Sequence, residues 1–319
     1  MKQKLYLPHA EIPVVEHCNM NCALCNSHAY LIKKSFYPFE QYKKDIDVLS
    51  KHIHFGLVTF MGGEPLLRED LIDFIAYAKA KKIGEIYRIL TNGILVKSMS
   101  ADLMSIIDVL EISHYPQMKE TPKELSKYLA PLAQKYNFTF YIKEINYFNK
   151  IDTISLADTA AQKGYDNCMQ RKDGCSIFNG HYYKCMRPKT TNLYLEKECG
   201  IKLENNLRIT DSLEIGGEDF GNRLKVYLAD TNRLEACKYC LMGQEKENSI
   251  FLNLKHKAYQ HPALIKMYYK NMVFYHCFKN AKKIFTFDEG AHSNNNDCIK
   301  TQEHKVKCLG SKKDFEVYL

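Results

Sequence analysis

At 319 residues, 45% hydrophobic and 26% charged, the chain is long enough for one large or two modest globular domains. No apolar run reaches membrane-spanning length, and MKQKLYLPHAEIP at the start lacks the apolar core of a signal peptide, so a cytoplasmic location is expected. The net charge of +8 fits a solvated basic face or an anionic small molecule. With dispersed lysines and no arginine-rich run or RNA-binding signature, a nucleic-acid partner is not expected.

The first half alternates strand-like and helix-like segments. Strands are predicted at 11–17, 56–63, 85–93, 109–115 and 138–148, and helices at 38–53, 68–82, 100–108 and 122–137. Residues 68–82 carry acids in the first turn and lysines in the last, as the helix dipole favours. A sixth repeat is placed in 150–165, with ISLADTAAQKG as its helix. This rhythm predicts an α/β fold with a parallel sheet, open or closed into a barrel. From about 166 glycines, cysteines and short β-like pieces take over, with a hairpin at 174–186 turning on Asn179-Gly180. That region runs to about 245. Residues 246–280 read as helical and aromatic, and 286–319 as loop-rich.

Twelve cysteines is a high number for a reducing compartment, where clustered thiols more often bind metal or do redox chemistry than form disulfides. They group as three at 18–25, four at 168–199, two at 237–240, and single ones at 277, 298 and 308. Cys18, Cys22 and Cys25 follow the first predicted strand, where α/β folds place active sites. Three thiols are one short of a usual four-ligand site. His28 would complete a zinc site; an iron–sulfur cluster with one open position is the other reading.

The C-x3-C-x2-C spacing after a first strand resembles the radical S-adenosylmethionine (SAM) superfamily, whose fold is a partial (β/α)6 barrel. The resemblance implies that Cys18, Cys22 and Cys25 hold a 4Fe–4S cluster whose fourth iron chelates SAM. One-electron cleavage of SAM then yields a 5′-deoxyadenosyl radical that takes hydrogen from substrate, and His28 becomes a bystander. A reductase such as flavodoxin or ferredoxin is implied as partner.

Further residues carry the likeness. MGGEPLL (61–67) ends the second predicted strand. Gly62 and Gly63 allow close backbone approach to a ligand, Glu64 offers an anion to an ammonium, and Pro65 opens a helix. In the family a GGE motif here meets the SAM amino group; an ordinary strand-to-helix turn would read the same way. Thr91 and Asn92 of TNG are similar to a turn near the SAM site, and Ser113 is a candidate ribose contact. Leu24 stands where the family usually has an aromatic residue near adenine, so an apolar contact survives and stacking does not.

Eleven residues separate Cys168 from Gly180 and four separate Gly180 from Cys185; Cys237 and Cys240 form a C-x2-C pair. This resembles the SPASM motif and, lacking its later cysteines, more closely the twitch domain. It implies a second, auxiliary 4Fe–4S cluster on Cys168, Cys185, Cys237 and Cys240, with a structural zinc on the same thiols as the alternative. Cys175 and Cys199 are possible replacement ligands; Cys277, Cys298 and Cys308 read as ordinary thiols.

The expected organisation is a radical SAM partial barrel at 1–165, a twitch-like domain at 166–245 and a C-terminal segment at 246–319 of unassigned role. A fully cysteine-ligated auxiliary cluster suits electron transfer. The layout is similar to twitch dehydrogenases of the 2-deoxy-scyllo-inosamine type, which implies oxidation of a sugar or cyclitol alcohol on a carbohydrate-like small molecule. Ribosomal peptide maturation, redox-neutral sugar epimerisation and a zinc-binding interaction module are the other readings. Glu144, His114 and Tyr141 are candidate bases; for His17, His54 and His181 structural roles are expected.

Overall fold

The computed structural model describes residues 4–22, 24–145, 150–168, 170–171 and 175–244, together with the backbone of Val306–Lys307. Five parallel strands form the body of one sheet: β1 (Leu5–Val15), β2 (Ile53–Gly62), β3 (Gly84–Thr91), β4 (Val109–His114) and β5 (Thr139–Glu144). They pair in sequence order. The crossovers that parallel pairing demands contain α1 (Phe39–His52), α2 (Leu71–Ala80), α3 (Ala101–Ile106) and α4 (Pro122–Tyr136).

Alternation along the strands divides the sheet into two faces. Ala10, Ile12, Val58, Phe60, Leu110 and Ile142 are buried in the core. Tyr42, Ile46 and Leu49 of α1 and Phe74 and Ile75 of α2 belong to the same core, at the helical spacing that makes one apolar face. The opposite face is polar midway along the strands: His9, Thr59, Arg88, Glu111 and Tyr141 are joined by hydrogen bonds centred on the Arg88 guanidinium. Helix α4 starts on a capping box, with Thr121 and Glu124 bonding each other's backbone N–H, and Pro122 in its first turn.

The predicted elements are all present over the first five repeats, with shifted ends. Strand β1 begins six residues before position 11, because LYLPHA continues the pairing with β2 on either side of Pro8. Residues 16 and 17 belong to the following loop. The sixth repeat at 150–165 is corrected. Its helix is present as α5 (Asp158–Asn167), but Asp152 makes only an isolated antiparallel bridge to Cys240. The sixth parallel strand is β6 (Cys175–Phe178), which pairs with β1 at the other edge.

Strand β6 turns through Asn179 and Gly180 into antiparallel β7 (His181–Tyr183), and β8 (Ser212–Glu214) follows on its outer side. Asn179 and Gly180 both have positive φ, 45° and 83°, the conformation of a two-residue hairpin turn. The Gly180 N–H donates to Asp45 of α1 at 2.7 Å, fixing the turn to the body of the fold. Helices α6 (Pro188–Cys199), α7 (Leu207–Thr210) and α8 (Phe220–Ala229) complete this region. Val306–Lys307 forms β9, antiparallel to β5. The helical reading of 246–280 and the ordinary-thiol reading of Cys277, Cys298 and Cys308 lie outside the described residues. Among those described, no helix is long and apolar enough to cross a membrane.

Candidate metal centres

The first centre is built on the loop that leaves β1. Cys18, Cys22 and Cys25 are all partly buried there, with Leu24 half-buried between the last two. The Cys25 N–H donates to the Cys22 carbonyl at 3.2 Å, and the His28 N–H to the Cys25 carbonyl at 2.9 Å, coiling the loop. Cys18 Sγ accepts from the Met20 N–H at 3.4 Å and from Asn92 Nδ2 at 3.6 Å. Asn92 Nδ2 also donates to Asn19 Oδ1 at 2.7 Å. Asn92 is thus the contact between the end of β3 and the cysteine loop. Tyr115, just past β4, hydrogen-bonds Ser113 and lies within electrostatic reach of all three thiols.

The two glycines after β2 serve this loop directly. Gly63 N–H donates to the Val15 carbonyl at 3.0 Å and Glu64 N–H to the His17 carbonyl at 3.1 Å. A Cβ on Gly62 would stand 1.8 Å from the Val15 oxygen, and one on Gly63 would stand 2.0 Å from the His17 oxygen. The close approach for which the glycines are needed is therefore to the backbone entering the cysteine loop. Glu64 is fully buried, and its carboxylate accepts from Leu66 N–H at 3.0 Å, Thr91 Oγ1 at 2.6 Å and Asn92 N–H at 2.7 Å. Three donors hold it inward, so it staples the ends of β2 and β3 together. Pro65 opens only a short 3-10 turn, Pro65–Leu67.

Burial pushes the Glu64 carboxyl up to about 7. The folded chain thus holds this proton more tightly than the unfolded chain, where a glutamate titrates near about 4.3. The neutral form stabilises the fold. Its contribution is complete below about pH 4 and is lost as pH rises through about 7, by roughly 3 kcal/mol. Urea unfolding of the metal-free chain at about pH 5 and about pH 8 should show that loss, and Glu64→Gln should remove it. An equal slope in the variant would contradict this.

The second centre lies between α5, the start of α6 and the C-x2-C segment. Cys168, Cys185, Cys237 and Cys240 all line one small cavity of about 30 Å³, with Tyr165 and Arg187 among the other lining residues. Cys185 lies just after β7 and Cys168 just after α5. The C-x2-C segment is a 3-10 turn, Glu235–Tyr239, tied to the stretch after β5: Thr153 N–H donates to the Tyr239 carbonyl at 3.2 Å and Leu241 N–H to the Ile151 carbonyl at 2.8 Å. Buried Asp211 accepts from the Glu235 and Ala236 N–H groups at 2.9 and 2.7 Å, capping the turn.

The two unassigned thiols lie elsewhere. Cys175 is buried in β6, donating to the His9 carbonyl at 3.6 Å. Cys199 ends α6 beside Tyr194. The histidines have structural partners: His17 Nδ1 meets the Ser35 backbone, His54 meets Glu85, and His181 meets Ser212. Of the candidate bases, Tyr141 accepts from Arg88 at 3.2 Å and His114 Nε2 donates to the Glu120 carbonyl at 2.7 Å. Glu144 ends β5.

As bare thiols, five of these cysteines hold their protons more tightly than usual. Burial and mutual repulsion push Cys22 up to about 11 and Cys237 up to about 12, and raise Cys18, Cys185 and Cys240 as well. Metal binding deprotonates such thiols and supplies the charge that burial lacks. Among the described residues, no three His, Cys, Asp or Glu side chains gather closely enough to share one ion. A zinc ion needs its ligands at about 2.3 Å from one point, whereas each thiolate of a four-iron cube takes its own iron. The proposed fourth zinc ligand, His28, is engaged with Thr190 and Asp152. Three thiols in the first centre fit a 4Fe–4S cluster with one iron left open, and four in the second match the ligand count of a further cluster or of a zinc ion.

Residues 12–155 match the family model described as the radical SAM superfamily. Over 93 residues the chain is 34% identical to the 7,8-dihydro-6-hydroxymethylpterin dimethyltransferase of Methanocaldococcus jannaschii, covering 28% of this chain and 18% of that protein. It is 27% identical over 177 residues to the GTP 3′,8-cyclase of Corynebacterium glutamicum, covering 48% of this chain and 46% of the relative. The chain thus spans less than half the length of the curated relatives it matches. BtrN in complex with AdoMet and 2-DOIA is a similar solved structure, with 15% identity, 77% of this chain and 98% of that chain covered, and a TM-score of 0.43. SuiB of Streptococcus suis bound to S-adenosylmethionine aligns at 13% identity over 78% of this chain and 74% of that chain, with a TM-score of 0.38.

Proposed function

We propose that this chain, whose residues 12–155 match the radical SAM superfamily model, is a radical SAM enzyme that removes two electrons from a sugar or cyclitol alcohol. The observation that carries this reading is the convergence of Cys168, Cys185, Cys237 and Cys240 on one cavity. Four protein thiolates leave a cluster no open position for substrate, which suits it to electron transfer. Cys18, Cys22 and Cys25 would hold the cluster and SAM that supply a 5′-deoxyadenosyl radical for the carbinol hydrogen, and Cys168, Cys185, Cys237 and Cys240 would hold the cluster that accepts the remaining electron.

The chain's own residues do the rest. Asn92 donates to Cys18 Sγ and steadies its electron density. Gly62, Gly63, Thr91 and Glu64 fix the loop against the ends of β2 and β3. Pro65, Leu24 and Ser113 border the same end of the sheet, to which this proposal assigns SAM. The polar face around Arg88, Glu111 and Tyr141 suits a hydroxylated substrate, and the charge of +8 suits one bearing phosphate. The hydroxyl proton passes to a base for which Glu144 and His114, at the ends of neighbouring strands, are the candidates. One hydrogen atom, one proton and one electron leave, and a C=O bond forms.

The test is anaerobic turnover, with reductant and SAM, of cyclitols and sugar phosphates carrying deuterium at each carbinol carbon. Deuterium in 5′-deoxyadenosine with an equal yield of ketone is expected. A product of unchanged oxidation state would replace oxidation by epimerisation.

A further inference from the structure

Between the two centres runs a continuous chain of buried polar groups. His28, three residues after Cys25, lies with Nδ1 at 3.0 Å from Thr190 Oγ1 and Nε2 at 3.2 Å from Asp152 Oδ1. Its ring stacks on Tyr194 at 4.7 Å. Arg187, two residues after Cys185, bonds the same Asp152 oxygen through Nη2. Its Nη1 donates at 3.0 Å to the carbonyl of Asn26, the residue after Cys25. His28, Asp152 and Arg187 are 1%, 7% and 6% exposed.

Arg187 also belongs to the second centre. It lines the cavity. Its backbone N–H reaches Cys185 Sγ at 3.5 Å, and its guanidinium lies within electrostatic reach of Cys240. Its buried Nε has no hydrogen-bond partner among the described residues. Burying a guanidinium costs several kcal/mol before pairing, and one carboxylate shared with His28 is a sparse complement. An occupant of the cavity with net negative charge would complete it. Four thiolates around a cluster provide that charge.

We propose that Arg187 is a positioning residue that sets the reduction potential of the second centre's cluster, with Asp152 opposing it and His28 tying both to the first centre's loop. The inference rests on reading Cys168, Cys185, Cys237 and Cys240 as cluster ligands. Gaining one electron makes the cluster one charge more negative. A cation within electrostatic reach of two of its ligands, Cys240 and Cys185, stabilises that reduced state and raises the potential, which favours uptake of the substrate's electron. Asp152 stands one group further away and acts in the opposite sense.

The two signs make the test. Full-length chain carrying Cys18→Ala, Cys22→Ala and Cys25→Ala isolates the second cluster and is reconstituted anaerobically with iron and sulfide. Its potential is read by redox titration followed by electron paramagnetic resonance, without any turnover. Adding Arg187→Gln should move the potential to more negative values; adding Asp152→Asn should move it to more positive values. Both should keep about four irons per chain. Unchanged potentials with iron intact, or shifts of the same sign, would overturn the inference while leaving the cluster reading in place. Should Arg187→Gln lose its iron, Asp152→Asn decides: a positive shift supports the proposal and no shift overturns it. Absence of iron from the triple-alanine chain itself overturns the cluster reading and, with it, the inference.

Discussion

Replacing Cys18, Cys22 and Cys25 together by alanine is expected to reduce 5′-deoxyadenosine formation to background and to halve the iron content. The three thiols lie on one loop after β1; among the described cysteines outside the second centre, Cys175 is sealed in β6 and Cys199 ends α6. About four of about eight irons should remain, held by the second centre. Under the proposed oxidation, Cys237→Ala should do the reverse, sparing SAM cleavage while ending ketone formation, because the second electron would then have no acceptor. Retention of SAM cleavage in the triple variant would refute the assignment of the first centre.

Gly63→Ala should be almost as damaging to the first centre, although Gly63 carries no side chain to bind anything. Its Cβ would meet the His17 oxygen at 2.0 Å and the Cys18 nitrogen at 2.8 Å. Both are backbone atoms of the cysteine loop, so no side chain can swing aside. Relief requires β2 and the loop to part, breaking the bonds from Gly63 N–H to Val15 and from Glu64 N–H to His17. Two lost hydrogen bonds and the displaced packing cost about 3 kcal/mol or more. Urea unfolding and iron analysis should show lower stability and loss of the first iron set only. Gly200→Ala is the control: its Cβ meets nothing within 4 Å, and its φ of 68° costs about 1 kcal/mol. Equal effects of the two substitutions would count against the steric explanation.

The parallel sheet was legible because period-two strands and period-3.6 helices alternate through residue 144, each with its own apolar face. The cysteine groups were legible because thiol spacing is local. What failed to show was long-range. Strand β6 sits beside β1, a pairing about 165 residues apart that no periodicity encodes. Nothing in MGGEP tells that Glu64 turns inward, since that depends on Thr91 and Asn92 meeting it from β3. Arg187 and Asp152 carried no motif at all; only the fold brings residue 152 against residue 187. His28 was read as a bystander to the cysteine loop. Its link to Asp152 and Thr190 crosses more than 120 residues and was invisible from its neighbours.

The most direct measurement is metal and product analysis of the full chain purified and reconstituted without oxygen. About eight irons and eight sulfides per chain are expected, with 5′-deoxyadenosine released when SAM and a low-potential reductant are added. Zinc in place of iron, or iron without SAM cleavage, would contradict a radical SAM enzyme with two cysteine-held clusters.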